Sequence, residues 1–250
     1  MASLPFGRFN IVSMNLHKGV SPLHRLSTVH GLRQKMRDCN PDLLFLQEVQ
    51  QEHRGHAKRF SAWPASELTH FLSEDCWHAW HYGRNAQYQA GHHGNAILSK
   101  RPLNHGQNYD ISAYRFEKRG LLHSSVQLED AANLIHCFCV HLALFERGRE
   151  RQLEQILRYI DTLANQGPTI VAGDFNDWRN RISSPMRAAG FQEVFEVMTG
   201  APAKTFPSFK PMLPMDRIYV RGFKIHAATI LHEEQMLSDH LGISAELELL

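Results

Sequence analysis

Apolar residues along the chain fall into two alternating kinds of segment. Phe9-Asn10-Ile11-Val12-Ser13-Met14 alternates in the period of a half-buried strand. Ser21-Pro22 then offers an N-cap followed by proline at the first helical position. Leu23, Leu26, Val29, Leu32 and Met36 follow as one apolar helix face, stopped by Asn40-Pro41. Asp42-Leu43-Leu44-Phe45-Leu46-Gln47 is a continuous apolar run, as a strand covered on both faces requires. A short helix is expected within 64–74. Strands are expected at 78–82, 94–99, 121–128 and 133–140, with loops near 50–66, 84–93, 104–119 and 200–214.

From Glu146 to Asn165 the helical pattern is clearest. Leu153, Ile156, Leu157, Ile160 and Leu163 share a face, and Gly167-Pro168 ends it. Thr169-Ile170-Val171-Ala172 is another buried strand. A helix near 183–189 and strands near 216–220, 223–231 and 241–248 complete the series. Strands of both kinds with covering helices define an α/β or α+β fold. No linker or low-complexity run divides the 250 residues, so residues 1–250 read as a single domain with a sizeable core.

Charge changes this picture modestly. The net charge is +2 with histidine neutral, which excludes a strongly basic nucleic-acid binder. It is unevenly placed: residues 1–125 carry about +6 and the remainder about −4, so part of the acidity is expected to serve a cation site. The N-terminus lacks a secretory pattern and the apolar runs are too short to span a bilayer, which sets a cytoplasmic expectation. Cys137 and Cys139 share a strand face, and the spacing of the four cysteines reads as buried free thiols rather than a zinc knuckle. No phosphate-binding glycine loop and no Gly-x-Ser-x-Gly elbow is present, so a nucleoside triphosphatase and an acyl hydrolase are disfavoured.

The chemistry-bearing residues gather where the apolar strands end: Asn15, Glu48, His141, Asp174 with Asn176, Asp216, and Ser238-Asp239-His240. Taken singly, each reads as a turn, cap or surface residue. Together they recur at one topological place, where side chains held by a sheet face a cleft. Oxygen ligands of this kind suit Mg²⁺ or Mn²⁺, and imidazoles add proton transfer near neutral pH. A divalent cation also offsets the charge that makes a phosphate ester resist an anionic nucleophile.

At these positions the chain resembles the endonuclease/exonuclease/phosphatase superfamily. The resemblance rests on Met14-Asn15-Leu16-His17-Lys18-Gly19, Gln47-Glu48-Val49, Gly94-Asn95-Ala96-Ile97-Leu98-Ser99, His141-Leu142, Gly173-Asp174-Phe175-Asn176, Asp216-Arg217-Ile218 and Ser238-Asp239-His240, in family order over residues 10–240. It implies a four-layer α/β/β/α sandwich of two mixed sheets. It implies Glu48 as principal metal ligand with Asn15 and Asp239. Asp174 and Asn176 would bind and orient the attacking water, His240 would contact phosphate or move a proton with Asp216 orienting it, and His141 would stabilise charge or protonate the leaving group. The reaction implied is hydrolysis of a phosphodiester, nucleic acid included, by an activated water. A phosphomonoesterase of inositol- or sugar-phosphate type, or a non-catalytic binding domain on the same fold, is the alternative.

One position departs from the pattern of the abasic-site endonucleases, which carry Asp two residues after the first-motif Asn; here it is His17. The NLHKG form is similar to that of a bacterial branch, and His17 reads equally as part of the ligand shell or as packing. Arg115, Lys118 and Arg119, and the loop Gly91-His92-His93-Gly94, are open between a role at the cleft and a plain solvated surface. Arg147, Arg149 and Arg151 at the start of a helix oppose its dipole, which points to an anion nearby or to salt bridges with Glu146 and Glu150. Trp178 is the tryptophan placed to touch substrate. Partners are expected to be a phosphate-ester substrate, with nucleic acid bound weakly at most; no protein partner is implied, and a monomer is expected.

Overall fold

The computed structural model describes residues 7–23, 25–127, 134–232 and 236–250. The expected strand ends at 128 and 133 lie outside them. In chain order the first strands are β1 (Phe9–Asn15), β2 (Leu43–His53), β3 (Ala79–Tyr88) and β4 (Gly91–Ser99). They are followed by β5 (Leu103–Asp110), β6 (Gly120–Gln127), β7 (Leu134–His141) and β8 (Thr169–Asp174). The last are β9 (Gln192–Glu193), β10 (Asp216–Arg221), β11 (Phe223–Leu231) and β12 (Gly242–Leu249). The helices are α1 (Val29–Cys39), α2 (Arg54–Arg59), α3 (Leu68–Ser73), α4 (Glu146–Ala164), α5 (Ser183–Ala188) and α6 (Val194–Thr199).

The strands form two six-stranded sheets, ordered β11-β12-β1-β2-β4-β3 and β5-β6-β7-β8-β10-β9. Each is mixed: β1 with β2, and β7 with β8, are parallel, and the other pairs are antiparallel. The inner faces pack on each other. Phe45, Ile97, Leu122, Cys139, Ile170 and Ile243 lie in that shared core. Successive strand residues point to opposite faces, so Leu44 and Leu46 instead meet Val29, Leu32 and Met36 of α1. On the outer face of the second sheet, Leu153, Ile156 and Ile160 of α4 cover Phe138, Val171 and Tyr219. The result is the four-layer α/β/β/α sandwich.

Two buried amides join the sheets. Asn95 on β4 donates to the carbonyls of Gly120 (3.1 Å) and Cys139 (3.2 Å) in the opposite sheet. Gln47 Nε2 donates to the carbonyl of Phe45 (3.0 Å) and reaches Cys139 Sγ. Cys137 and Cys139 are buried and free, as their spacing predicts.

Several expectations need correction. The first helix does not begin at Ser21. Ser21 Oγ accepts from the amides of Arg25 and Leu26, which closes a turn, and α1 starts only at Val29. Leu23 and Leu26 therefore stand in a loop, 71% and 68% exposed, rather than on a buried helix face. Residues expected as loops near 84–93 and 104–110 are largely strand, since β3, β4 and β5 run through them. The short helices α2 and α6 had no counterpart in the sequence reading. The arginines of α4 make no pair with Glu146 among the described residues. Glu146 instead meets Arg179 and Arg181. Buried Arg149 donates to the carbonyls of Ala143 and Leu144 and lies over the Trp178 ring at 5.0 Å.

Candidate active site

The second sheet contributes three side chains in a row. In the parallel ladder His141 at the end of β7 pairs with Asp174 at the end of β8. Asp174 in turn pairs with Asp216 at the start of antiparallel β10. Strand pairing alone thus sets an imidazole and two carboxylates side by side.

The first sheet supplies the other half. Asn15 ends β1, and Ser238-Asp239-His240 precedes β12, the strand beside β1. Ser238 Oγ donates to the carbonyl of Asn15 (2.7 Å) and accepts from the His240 amide (3.2 Å), so the turn is clamped to the strand end. His240 Nδ1 then lies 2.9 Å from Asp216 Oδ2, which also accepts from Thr205 Oγ1. Asp174 Oδ2 becomes a focus: Asn15 Nδ2 donates to it at 3.1 Å, His141 Nε2 is 3.4 Å away and His240 Nε2 is 3.8 Å away.

Glu48 does not end its strand, as the sequence had indicated; β2 continues to His53. Its pairing with β4 shifts register between Leu46 and Val49, and Glu48 has φ +52°. A bulge re-aims a side chain, and a left-handed non-glycine residue persists only where its surroundings enforce it. The half-buried Glu48 carboxylate makes no hydrogen bond or ion pair among the described residues. Asp239 Oδ1 lies 3.0 Å from His17 Nδ1. The position that departs from the abasic-endonuclease pattern is thus filled by a side chain bound to an expected metal ligand. Asn15 Oδ1 accepts from the His17 amide (3.0 Å). Asn176 caps Asp174 through its backbone amide (2.9 Å to Oδ1), and its side chain donates to the Leu142 carbonyl (3.0 Å).

Burial and charge push the two histidines apart. Burial alone would depress the His240 imidazolium, but the carboxylates of Asp216 and Asp174 outweigh it and raise the group to about 10. His141 is held well below the ordinary range, by burial first and then by Arg119 and His240. Burial pushes the Asp174 carboxyl up, with His240 opposing. Burial also acts to raise Asp239, yet the hydrogen bond from His17 and the charge of His240 hold it below the usual carboxylate range. Opposed shifts in neighbouring groups are how one site carries both a proton donor and a proton acceptor.

A basic wall completes the site. Arg119 Nη1 is 3.5 Å from His141 Nδ1 while its other amino group binds Glu117 (3.0 Å). His93, on β4, is depressed by burial and then by Lys18, with Glu48 opposing and Arg119 adding to it. Lys18, His93 and Arg119 therefore act electrostatically on the same space as Glu48 and His141. The sequence left His93 and Arg119 open and did not single out Lys18. The hint available was their adjacency to the motifs: Lys18 follows Asn15-Leu16-His17, and His93 precedes Gly94-Asn95.

Asp174, Asp216 and His240 present atoms all within 4.8 Å of one another. These groups bind each other, and an imidazolium cannot ligate a cation. Glu48, in the left-handed region and without a hydrogen bond or ion pair among the described residues, suits a hard divalent cation better, with Asp239 and Asn15 in the oxygen set.

This architecture and this site place the protein in a known class. The Endonuclease/Exonuclease/phosphatase family profile matches residues 12–240, and the chain belongs to that family. Among its relatives, YbhP of Escherichia coli strain K12 is 39% identical over 244 residues, 96% of each chain. The human Nocturnin catalytic domain with bound sulfate anion shares the fold at TM-score 0.77 and 17% identity, over 100% of this chain and 96% of that one. Danio rerio TDP2 complexed with single strand DNA product does so at TM-score 0.71 and 19% identity, over 96% and 99%. Members of this family generally hydrolyse phosphate esters with the help of a divalent metal. No described helix is long and apolar enough to cross a membrane.

Proposed function

We propose that the protein is a Mg²⁺- or Mn²⁺-dependent phosphodiesterase that hydrolyses a P–O bond by attack of an activated water. The observation that carries this reading is the convergence of Asn15, His141 and His240 on one buried carboxylate oxygen, Asp174 Oδ2. A bound metal, held by Glu48 with Asp239 and Asn15, would offset phosphate charge and stabilise the transition state. Asp174 accepts the proton of a water placed in line with phosphorus, and Asn176 and Asn15 fix its orientation. His240, kept cationic by Asp216, binds a phosphoryl oxygen. His141 and Arg119 face the charge that develops on the leaving oxygen. The relative solved with single-stranded DNA product favours a diester over a monoester.

The test is hydrolysis of bis(p-nitrophenyl) phosphate with Mg²⁺, with Mn²⁺ and in excess EDTA. Turnover with metal and loss in EDTA is the expected result, with Glu48→Gln requiring more metal. Full activity in EDTA, or turnover of monoesters alone, overturns the proposal.

A further inference from the structure

The misread segment after β1 leads to a second property of the molecule. Leu23 and Leu26, exposed in their loop, line an apolar groove of about 490 Å³ with Met236 and Leu237. Those last two residues run directly into Ser238-Asp239-His240. The neighbouring loop carries Phe209, 73% exposed, and Met212. It is tethered to the same turn, since the Ser208 amide donates to the Asp239 carbonyl (2.7 Å). One side of the site is therefore rimmed by apolar side chains.

The opposite side is built alike. Phe116, 77% exposed, stacks on Tyr114 (centroids 5.3 Å apart), which meets Phe145 edge-on (6.1 Å). Leu144 and Phe145, both exposed, follow His141 by three and four residues, and Trp178 follows Asn176 by two. Elsewhere among the described residues the exposed large apolar side chains are Tyr88, Val197, Met198 and Leu250. Apolar exposure is thus concentrated on loops at the catalytic end of both sheets. Exposure of that kind marks an interaction surface.

Charge and side-chain type select the partner. The same loops, with the first turn of α4, expose Arg25, Arg115, Lys118, Arg147, Lys204 and Lys210. Of their acids, Glu117 and Glu146 are paired with arginines, and exposed Asp110 accepts from the Ser112 amide. Glu233 and Glu234, which precede Met236 in the sequence, run against this sign. Leu23, Leu26, Leu144, Met212 and Met236 have no ring on which a base stacks, although Phe116, Phe145, Phe209 and Trp178 stand among them. Another copy of the chain would meet like charge. Apolar tips among cations fit the boundary between anionic headgroups and acyl chains.

We propose that the rim of the catalytic cleft docks on an anionic lipid bilayer, seating Leu23, Leu26, Phe116 and Leu144 below the headgroups so that the cleft opens onto lipid phosphodiesters. The second half of this statement rests on the phosphodiesterase reading; the docking itself does not.

The experiment is co-sedimentation of the full chain with phosphatidylcholine vesicles, with and without phosphatidylglycerol. Binding to the anionic vesicles is expected, weakened roughly fivefold or more in Leu23→Ser/Leu26→Ser and in Phe116→Ser/Leu144→Ser. Both variants should hydrolyse bis(p-nitrophenyl) phosphate within about twofold of the parent, since no group in the chemistry is touched. His240→Ala should bind vesicles like the parent. Absence of vesicle binding, or unchanged binding by both variants, overturns the docking. So does loss of single-stranded DNA affinity in place of vesicle affinity, which assigns the rim to nucleic acid. Vesicle binding without diester hydrolysis leaves the docking standing and removes the phosphodiesterase reading.

Discussion

Two sets of buried or half-buried histidine lie at the two ends of β7. His141 at one end faces Asp174, with His240 beyond it on Asp216. His136 lies five residues earlier, about 17 Å along the strand. There His123 Nε2 is 3.0 Å from His136 Nδ1, with the rings nearly parallel, and His81 Nδ1 is 2.8 Å from Ser124 Oγ. No carboxylate lies within hydrogen-bonding reach of His123 or His136 among the described residues. Burial then decides: His123 is pushed down to about 4, with His136, His105 and His81 adding to it, and His136 is lowered as well. His240 is as deeply buried and goes the other way. Depth alone does not set the charge of these imidazoles: His240 is raised by the carboxylates of Asp216 and Asp174, whereas His141, against Asp174 but also beside Arg119 and His240, is lowered like His123.

The comparison predicts a hierarchy of effects. Largest, His240→Ala and His141→Ala should each lower kcat on a diester by about 10²-fold or more, the scale of a positioned proton-transfer or charge-stabilising group. Parental turnover in either would place the chemistry elsewhere. Next, Asp216→Asn removes the carboxylate that distinguishes His240 from His123. It should lower kcat at least roughly tenfold, and the loss should largely vanish in a His240→Ala background; additive losses in a double-mutant cycle would separate the pair.

Smaller effects belong to the other end of β7, where activity should stay within about twofold. The folded His123 pKa is depressed below its unfolded value of 6.5. The unfolded chain therefore takes up the proton first. The stability at issue is complete above pH 6.5 and is lost as pH falls toward about 4. In His123→Phe, which keeps the stack on Phe138, denaturant melts should show a loss between pH 7 and 4 smaller by about 1–3 kcal/mol, allowing for partial solvent screening. An unchanged slope would mean that His123 does not couple to folding. Smallest, Ser124→Ala frees the His81 ring and should cost about 1 kcal/mol at pH 7 with full activity.

How much of this was visible beforehand depended on whether a residue's fate is local. Val171-Ala172-Gly173-Asp174 reads as a buried strand with a carboxylate at its tip because pairing on both sides demands apolar side chains up to the end. Asp216 and Asp239-His240 were found in the same way. β5 was missed because Leu103–Asp110 is an edge strand, paired only with β6, and its polar sequence faces solvent. Leu23 and Leu26 misled because their spacing matches a helix, while two hydrogen bonds to Ser21 Oγ set a turn instead. The bulge that turns Glu48 and the gathering of Lys18, His93 and Arg119 arise from pairings between distant segments, which periodicity does not encode.

The position of β12 has a consequence for how the protein comes into being. The strand lies between β11 and β1, so a segment late in the sequence is inserted beside a much earlier one. A nascent chain lacking residues 238–249 has neither His240 nor the strand that joins β11 to the rest of its sheet. Contacts of such long sequence separation form late and slowly. Until then Asp216 faces no imidazole and the edge of β1 is bare, a surface on which another chain can pair. Without β12, therefore, His240 is absent and that edge of β1 is uncovered at the same time.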